Sequence, residues 1–418
     1  MKEAESTADS ICGTSMTLEI IRNAVNNKLG TKGTIKEWKA EEIGAGKGFV
    51  SVMAKLHITW NEDDERLPKT VIAKIPTATK IHMLGDMAKE MMDVMKKEIY
   101  KCHNAEISVF QAFAKLDKPP APLPFAYAFK ELSGEDSMDK NELSYIIMED
   151  LSTKSDILDM IMGGKLNEKQ HEQLIKTLAQ VHAWSLLNPE LIKTIKTLDL
   201  REIYGKMAGG MDRGADEFLK TLDEDEWKNF YGEDVVNALK SKRLGIRGSD
   251  FGEIMDQHKE FGLPDMMCHG DVHGNNMMLL KDADGKPTGD LYALIDWQGV
   301  QMGNPMVDLA RTMLMVDQKH RTTEGLRKSA IIYYDHFTKI MKEGGKETPF
   351  TEGQLWEAYT RAFIKFAAGF APFFASFQKQ IKAGILPCDD PEFAANSMKN
   401  ESKYFFEDAL SMMEHMKL

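Results

Sequence analysis

The stretch HGDVHGNN, residues 269–276, places one aspartate among two glycines, two histidines and two asparagines. Apolar runs flank it, MMC before it and MMLL after it, as expected of a polar loop between two buried elements. Three explanations are open at this point: a metal site built on the histidines, an unreactive turn, or a loop that carries out phosphoryl transfer. The segment that follows distinguishes them.

A second apolar segment, DLYALIDWQG (290–299), ends abruptly at Asp296. The glycine-containing turn DADGKPTGD separates it from the first segment, and this pattern predicts a hairpin-like pair. Such a hairpin brings Asp271, Asn276 and Asp296 to one end of the structure. Phosphoryl transfer needs this set, because Asp271 can accept the proton of a hydroxyl while Asn276 and Asp296 offer hard oxygen ligands for Mg²⁺.

The pattern His269-x-Asp271-x-His273-x-x-Asn276, followed by Ile-Asp296-Trp, resembles the catalytic signature of the aminoglycoside phosphotransferase and choline-kinase superfamily. That superfamily is similar to protein kinases, whose loop reads H-R-D-x-x-x-x-N and whose metal aspartate opens D-F-G. The form CHGDxHxxN with IDWQ looks most like the branch of insect ecdysteroid kinases and their nematode choline-kinase-like relatives. The resemblance implies that both histidines support Asp271, His269 from beneath the loop and His273 towards the phosphates.

The resemblance also implies a nucleotide site upstream, with ATP as the phosphoryl donor. IGAGKGFVS (43–51) matches a phosphate-covering loop, in which Gly44, Gly46 and Gly48 would let backbone amides approach the phosphates. Phe49 stands where the third glycine of G-x-G-x-x-G belongs, so the phosphate grip differs in detail. Lys74 in TVIAKIP follows on a strand and would hold the α- and β-phosphates.

Two further nucleotide contacts follow from the same resemblance. Glu106 in HNAEISVFQAF is the first choice for the partner of Lys74, and Glu98 in KKEIY is the alternative. The adenine would meet the backbone of a hinge that follows the apolar strand YII, which comprises Met148, Glu149, Asp150 and Leu151.

The fold class implied is α+β, a bilobal protein-kinase-like fold with an antiparallel sheet and helices in the N-lobe and a larger, mostly helical C-lobe. The pattern changes near residue 150, from mixed strands and helices to helices such as 171–187, whose apolar residues follow a 3.6-residue period. We therefore predict an ATP-binding lobe over 1–150, and a C-terminal lobe over 151–418 with the catalytic loop and the acceptor site. NPMVDLART (304–312) resembles the superfamily's proline-containing turn before a helix, where Asp308 would cap the helix and tie down the catalytic loop.

Composition limits the remaining classes. The 418 residues carry a formal net charge of −12, which argues against binding to nucleic acids or to anionic membranes. Four scattered cysteines without a CxxC pair argue against a disulfide framework, and together with the absence of an apolar leader they predict a cytoplasmic protein. The most apolar stretch, 362–377, is too short to span a membrane and reads as a buried, kinked helix.

Several residues have simpler structural explanations that the sequence leaves open. Lys74 could be a solvated strand lysine, Glu106 an exposed helix residue, and the glycines a plain hairpin turn. Asp308 could be an ordinary N-cap, and His182 is expected to be a hydrogen-bonded core histidine. Zinc bound at His269 and His273 lacks a third ligand at the usual spacing. The phenylalanines at 363, 366, 370, 373, 374 and 377 fit core packing better than the lining of an acceptor site.

These patterns together predict an ATP- and Mg²⁺-dependent small-molecule kinase that phosphorylates an alcohol. Gln298 follows Ile-Asp-Trp where choline kinases carry an acid, which favours an ecdysteroid-like, sterol or xenobiotic alcohol over a cationic acceptor. A choline- or ethanolamine-type kinase and a non-catalytic nucleotide-binding pseudokinase remain alternatives. A protein kinase is disfavoured, because IDWQGVQMGNPMVDLA leaves no room for a long activation segment. The expected assembly is a monomer or a homodimer.

Overall fold

The N-terminal part of the protein contains an antiparallel sheet with helices on both faces. The computed structural model describes residues 10–44, 50–79, 89–287, 289–386 and 388–418. The elements up to residue 149 are α1 (Leu18–Leu29), β1 (Ile35–Ile43), β2 (Ser51–Trp60), β3 (Thr70–Pro76), α2 (Lys89–Phe113), β4 (Ala126–Lys130) and β5 (Tyr145–Glu149).

The sheet has the strand order β1-β2-β3-β5-β4, and each neighbouring pair is antiparallel. Side chains alternate between the two faces of a strand, so β3 carries two apolar sets. Val71 and its alternate neighbours pack with α1, whereas Ile72 packs with Phe110 of α2. Lys74 shares the face of Ile72 and is therefore directed towards α2.

The long helix α2 and the edge strand β4 complete the sheet region. The residues from 89 to 113 form the single helix α2. The proline-rich connection at 118–129 ends in β4, an edge strand paired with β5. Alternation over only five residues is too short a signal to distinguish such an edge strand from an extended connection.

The C-terminal part is mostly helical, in agreement with the predicted fold class. Its elements are β6 (Ser155–Ile157), α3 (Glu168–Leu187), α4 (Pro189–Ile192), α5 (Leu200–Thr221), α6 (Asp225–Tyr231), α7 (Glu233–Lys240), α8 (Gly248–Ile254), β7 (Met266–Cys268), β8 (Met277–Leu280), β9 (Leu291–Leu294), β10 (Gln301–Gly303), α9 (Pro305–Leu314), α10 (Thr323–Glu343), α11 (Glu352–Lys382) and α12 (Pro391–Met416). The sheet ends at Glu149, and the division into lobes at residue 150 remains a prediction.

One large apolar core joins these helices, and α9 lies entirely within it. Helix α11 begins with a capping box between Thr351 and Gln354 and includes the stretch 362–377, with Pro372 inside the helix. Phe363 and Phe366 are buried, as the sequence predicts for most of this stretch. None of the helices in the described part of the chain is both long and apolar enough to cross a membrane.

The contact between α5 and α8 depends on a glycine. A Cβ atom at Gly248 would lie 2.6 Å from the Cα of Ala208, so we expect Gly248→Ala to push the two helices apart and to lower the free energy of unfolding by about 1–3 kcal/mol. Gly252 on the same helix has no atom within 4 Å of its ideal Cβ, and Gly252→Ala should instead be neutral or stabilise by up to about 1 kcal/mol. Denaturant unfolding of both variants measures the difference, and equal effects would contradict this account of the packing.

Candidate active site

The catalytic-loop candidate connects β7 to β8, and its geometry depends on a glycine. Gly270 has φ +81°, and a Cβ atom there would lie 2.0 Å from the carbonyl oxygen of Gly299. An L side chain would therefore meet both a strained backbone conformation and a direct clash. The close approach brings the segment around Gly299, which follows Asp296, against the loop that carries Asp271.

The hairpin β8–β9 forms as the sequence predicts, with Met277 opposite Leu294. The backbone N–H of Ile295 donates to the carbonyl oxygen of Asn276 at 2.9 Å, so the pairing extends to the residue before β8 and the residue after β9. Asn276 and Asp296 consequently lie at the same end of the hairpin.

Asp308 fixes the backbone of the catalytic loop. Its carboxylate accepts hydrogen bonds from the backbone N–H groups of His269 (2.7 Å) and Gly270 (3.0 Å). His182, which is fully buried, lies with Nε2 3.4 Å from the same carboxylate and with Nδ1 2.8 Å from the Tyr333 hydroxyl. Burial alone would raise the pKa of Asp308, but hydrogen bonding to His182 and the loop N–H groups holds that pKa below its usual value.

The expectation that Asp308 caps helix α9 is wrong, while its contact with the loop is present. The cap is Asn304, whose side chain accepts from the N–H of Met306, and Pro305 occupies the first helical position. Asp308 lies one turn into the helix. Its side chain accepts hydrogen bonds from loop N–H groups that would otherwise be buried without a partner.

His269 organises the backbone and is fully buried. Its Nε2 donates to the carbonyl oxygen of Ile295 at 3.0 Å, and its Nδ1 accepts from the N–H of Asp271 at 3.3 Å. The donor role of Nε2 and the acceptor role of Nδ1 define a neutral imidazole, and burial correspondingly lowers the pKa of His269. The ring also packs on Trp297, with the centroids 4.6 Å apart.

Asp271 lies among cationic and polar groups, and about a third of its side chain is exposed. Arg311 Nη1 donates to its Oδ1 at 2.8 Å, while His273 Nε2 lies 3.4 Å and Asn276 Nδ2 3.5 Å from its Oδ2. Burial alone would raise the pKa of Asp271, but His273 and Arg311 outweigh it and hold that pKa well below the usual range. The carboxylate is thus ionised at physiological pH.

Lys74 bridges the sheet, helix α2 and the end of β9. Its Nζ donates to Glu106 Oε2 at 2.5 Å and to Asp296 Oδ1 at 2.6 Å. Burial alone would lower the pKa of Lys74, but the two carboxylates raise it, so the ammonium stays charged. Burial raises the pKa of Glu106, against the opposing effect of Lys74, and Asp296 adds to the rise.

Of the two glutamates that the sequence left open, Glu106 is the one in contact with Lys74. Glu98, two turns earlier on α2, instead pairs with Lys101 and with Lys206 of α5, each at 2.8 Å. The interaction of Glu98 therefore connects α2 to the helical part of the chain.

The arrangement of Asn276 and Asp296 suits a divalent cation. Asn276 donates through Nδ2 to the Asp271 carbonyl oxygen at 2.9 Å, which leaves its side-chain oxygen for other contacts. Asp296 uses Oδ1 for Lys74, and the described hydrogen bonds leave Oδ2 unused. A carboxylate and an amide oxygen are ligands that Mg²⁺ prefers. Asp296 also has φ +65°, an uncommon conformation for a non-glycine residue that often marks functional sites.

The predicted hinge begins within β5 and continues beyond the end of that strand. Met148 and Glu149 end β5, and Glu149 Oε1 accepts from the N–H of Phe125 at 2.7 Å. Asp150 accepts from the N–H of Ser152 and begins a single helical turn at Leu151. In the predicted phosphate loop, Gly44 has φ +66°, and Gly46 and Gly48 lie outside the described residues.

Comparison with known proteins places the chain in a family. The family profile described as DUF1679, "Uncharacterized oxidoreductase dhs-27", matches residues 5–416. The chain belongs to this family. A Caenorhabditis elegans protein named uncharacterized oxidoreductase dhs-27 is 30% identical over 139 residues, which cover 33% of this chain and 16% of that protein. The chain thus spans less than one fifth of the length of this relative.

Solved structures show the fold of this DUF1679 member. Choline kinase from Cryptosporidium parvum Iowa II superposes with a TM-score of 0.50 at 11% identity, covering 96% of each chain. A spectinomycin phosphotransferase (TM-score 0.44, 11% identity, covering 96% of this chain and 100% of that one) and Plasmodium vivax ethanolamine kinase (TM-score 0.41, 12% identity, covering 91% and 83%) also match. The chain shares the fold of the Cryptosporidium parvum choline kinase, which is the protein-kinase-like fold that its motifs predict.

Arg311 is the site residue of this DUF1679 chain that sequence reasoning missed. It lies on α9, three residues after Asp308, so that both side chains face the catalytic loop. The guanidinium carbon lies 4.7 Å from the ring centre of Phe366 and 5.2 Å from that of Phe370. The spacing of Asp308 and Arg311 in VDLART is the signal that could have revealed it.

The histidines of the motif form no zinc site in the described part of the chain. The buried group of potential ligands there is His182, Cys268 and Asp308, whose ligand atoms lie within 4.8 Å of one another. Asp308 already accepts two backbone hydrogen bonds, and burial raises the pKa of the Cys268 thiol well above its usual value. These groups are better explained as hydrogen-bonded core residues.

We expect Asp308→Asn to loosen the loop, because an amide cannot accept from both backbone N–H groups without turning its NH₂ towards one of them. The free energy of unfolding should fall by about 2–4 kcal/mol. Asp216→Asn is the matched control, since its carboxylate is half-exposed and pairs with Arg247 at the surface. Thermal unfolding of both variants measures the difference, and an Asp308→Asn variant as stable as the control would contradict the anchoring role.

Proposed function

We propose that this protein is an ATP- and Mg²⁺-dependent small-molecule kinase that transfers the γ-phosphoryl group to an alcohol. The observation that carries the proposal is the juxtaposition of two ionic sites. Asp271 is ionised and partly exposed beside Asn276, and Asp296 contacts Lys74 and lies at the same end of the hairpin as Asn276. An acceptor-orienting carboxylate, oxygen ligands for a metal and a buried lysine are the parts that phosphoryl transfer requires.

The nucleotide would be held by residues of the proposed lobe 1–150. The charged ammonium of Lys74 would bind the α- and β-phosphates, and Glu106 would orient Lys74 from α2. Gly44, Gly46 and Gly48 would supply backbone N–H groups, and the backbone from Met148 to Leu151 would contact the adenine. Mg²⁺ held by Asn276 and Asp296 would neutralise phosphate charge.

Asp271 would orient the acceptor rather than act as a strong base. A carboxylate whose pKa lies well below the usual range is a poor proton acceptor in the ground state. It nevertheless accepts a hydrogen bond from a hydroxyl and directs the oxygen lone pair towards the γ-phosphorus. The proton then transfers late, which suits the loose transition state of phosphoryl transfer.

The acceptor is proposed to be an apolar alcohol, such as an ecdysteroid-like, sterol or xenobiotic alcohol. The partly exposed rings of Tyr204, Phe370 and Phe373 pack around the buried Phe251 between α5, α8 and α11 and form an aromatic surface. Phe370 also packs on Arg311 beside Asp271. Aromatic rings supply large apolar contact areas. The surface therefore lies beside the reacting carboxylate, within the proposed lobe 151–418.

Two alternatives are less well supported. A choline- or ethanolamine-type kinase needs carboxylates and free aromatic faces for a cationic head group, and Gln298 stands where choline kinases carry an acid. A pseudokinase usually lacks one of the reactive groups, whereas this chain has Lys74, Asp271, Asn276 and Asp296 in mutual proximity.

Nucleotide binding is tested by thermal shift. MgATP at about 100 times its dissociation constant should stabilise the protein by about 2.7 kcal/mol. Lys74→Met should abolish the shift, because it removes the phosphate-binding charge, whereas Lys39→Met on the exposed side of β1 should preserve it. A wild-type protein that MgATP leaves unshifted would overturn the kinase proposal.

The role of Asp271 is tested by transfer to an alcohol. A screen of ATP consumption over hydroxylated sterols, choline and xenobiotic alcohols identifies an acceptor. With it, Asp271→Asn should lower kcat by about 10²–10⁴-fold while the shift with MgATP persists, because the orienting carboxylate is lost but the nucleotide site is intact. Asp216→Asn should keep full activity. Full activity in Asp271→Asn would rule out this role.

A further inference from the structure

Arg311 places a permanent positive charge directly beside the acceptor-orienting carboxylate. Its side chain is 7% exposed, and its Nη1 contacts Asp271 Oδ1 at 2.8 Å. Arginine does not deprotonate in proteins, so this charge is independent of pH. A fixed cation therefore lies in contact with the carboxylate that is proposed to receive the acceptor hydroxyl.

The guanidinium also occupies the aromatic faces nearest to Asp271. It lies over Phe366 and Phe370, whose rings stack with their centroids 4.2 Å apart. A quaternary ammonium group is recognised by free aromatic faces and by nearby carboxylates. Here Arg311 already occupies the aromatic faces and the carboxylate, because it covers the two rings and neutralises Asp271.

We propose that Arg311 is a specificity-determining residue, which excludes cationic alcohols from the acceptor site and admits uncharged ones. The inference rests on the proposed kinase function, because it takes Asp271 to be the group that receives the acceptor hydroxyl. An ammonium group close to that hydroxyl meets the guanidinium at short range in a partly buried site, where like charges repel far more strongly than in water. An uncharged alcohol escapes this repulsion and can make apolar contact with the neighbouring, partly exposed rings of Tyr204 and Phe373.

Choline and its uncharged carbon isostere, 3,3-dimethylbutan-1-ol, are matched probes, because they differ in charge but hardly in shape. Saturation-transfer NMR measures the affinity of each probe, with MgADP and without it, for the full-length protein. We expect the wild type to bind the isostere more tightly. Arg311→Gln should shift the affinity ratio towards choline by about tenfold or more, because Asp271 then carries an uncompensated negative charge. Arg311→Lys should keep the wild-type preference.

Arg321→Gln is the matched control for the loss of a buried arginine. Arg321 pairs with Glu401 at 2.9 Å and Asp408 at 2.7 Å and lies over Phe405, but it belongs to a different part of the core. Its removal should lower stability and leave the probe ratio unchanged.

Three outcomes would overturn the inference: wild-type protein that binds choline as tightly as the isostere, an unchanged ratio in Arg311→Gln, or binding of neither probe. Failure of the kinase function itself would appear separately, as a lack of MgADP binding. If the protein does not bind MgADP, the measurement without nucleotide still gives the ratio of the two probe affinities.

Discussion

The carboxylate of Asp308 lies in the core, where it accepts hydrogen bonds from the backbone N–H groups of His269 and Gly270. These two groups begin the loop that carries Asp271, and they would otherwise be buried without partners. Gly270 in turn adopts a positive φ, because the loop passes within contact of Gly299. The conformation of the loop, and with it the direction of Asp271, therefore depends on one buried negative charge on helix α9.

A second buried charge joins the sheet to the catalytic region. Lys74 contacts Glu106 from α2 and Asp296 from the end of β9. Buried ion pairs seldom add net stability, because desolvation offsets much of the attraction. Charged groups placed together in this way, next to the left-handed backbone of Asp296, are more readily explained by the phosphoryl-transfer chemistry that we propose than by stability.

The proposed chemistry and the proposed specificity meet at Arg311. The guanidinium lies between Asp271 and the rings of Phe366 and Phe370, so one side chain contacts both the reacting carboxylate and the apolar surface. A solved structure that shares this fold is a kinase named for choline, which is cationic. A fixed positive charge beside the carboxylate is a physical reason for a different acceptor class on the same fold.

The sequence by itself determined the motif residues and the local elements, because apolar periodicity and turn residues act over short stretches. The hairpin that aligns Asn276 with Asp296 follows from its two apolar runs and the glycine-containing turn between them, whereas the sequence left open whether Lys74 is buried or solvated. Only the tertiary structure decided which glutamate contacts Lys74. Glu106 and Glu98 lie on the same helix, and Glu98 pairs with Lys206 of α5 instead. The contact of Arg311 with Asp271 likewise joins residues that are far apart in sequence, so it forms only when the buried helix α9 packs beside the catalytic loop.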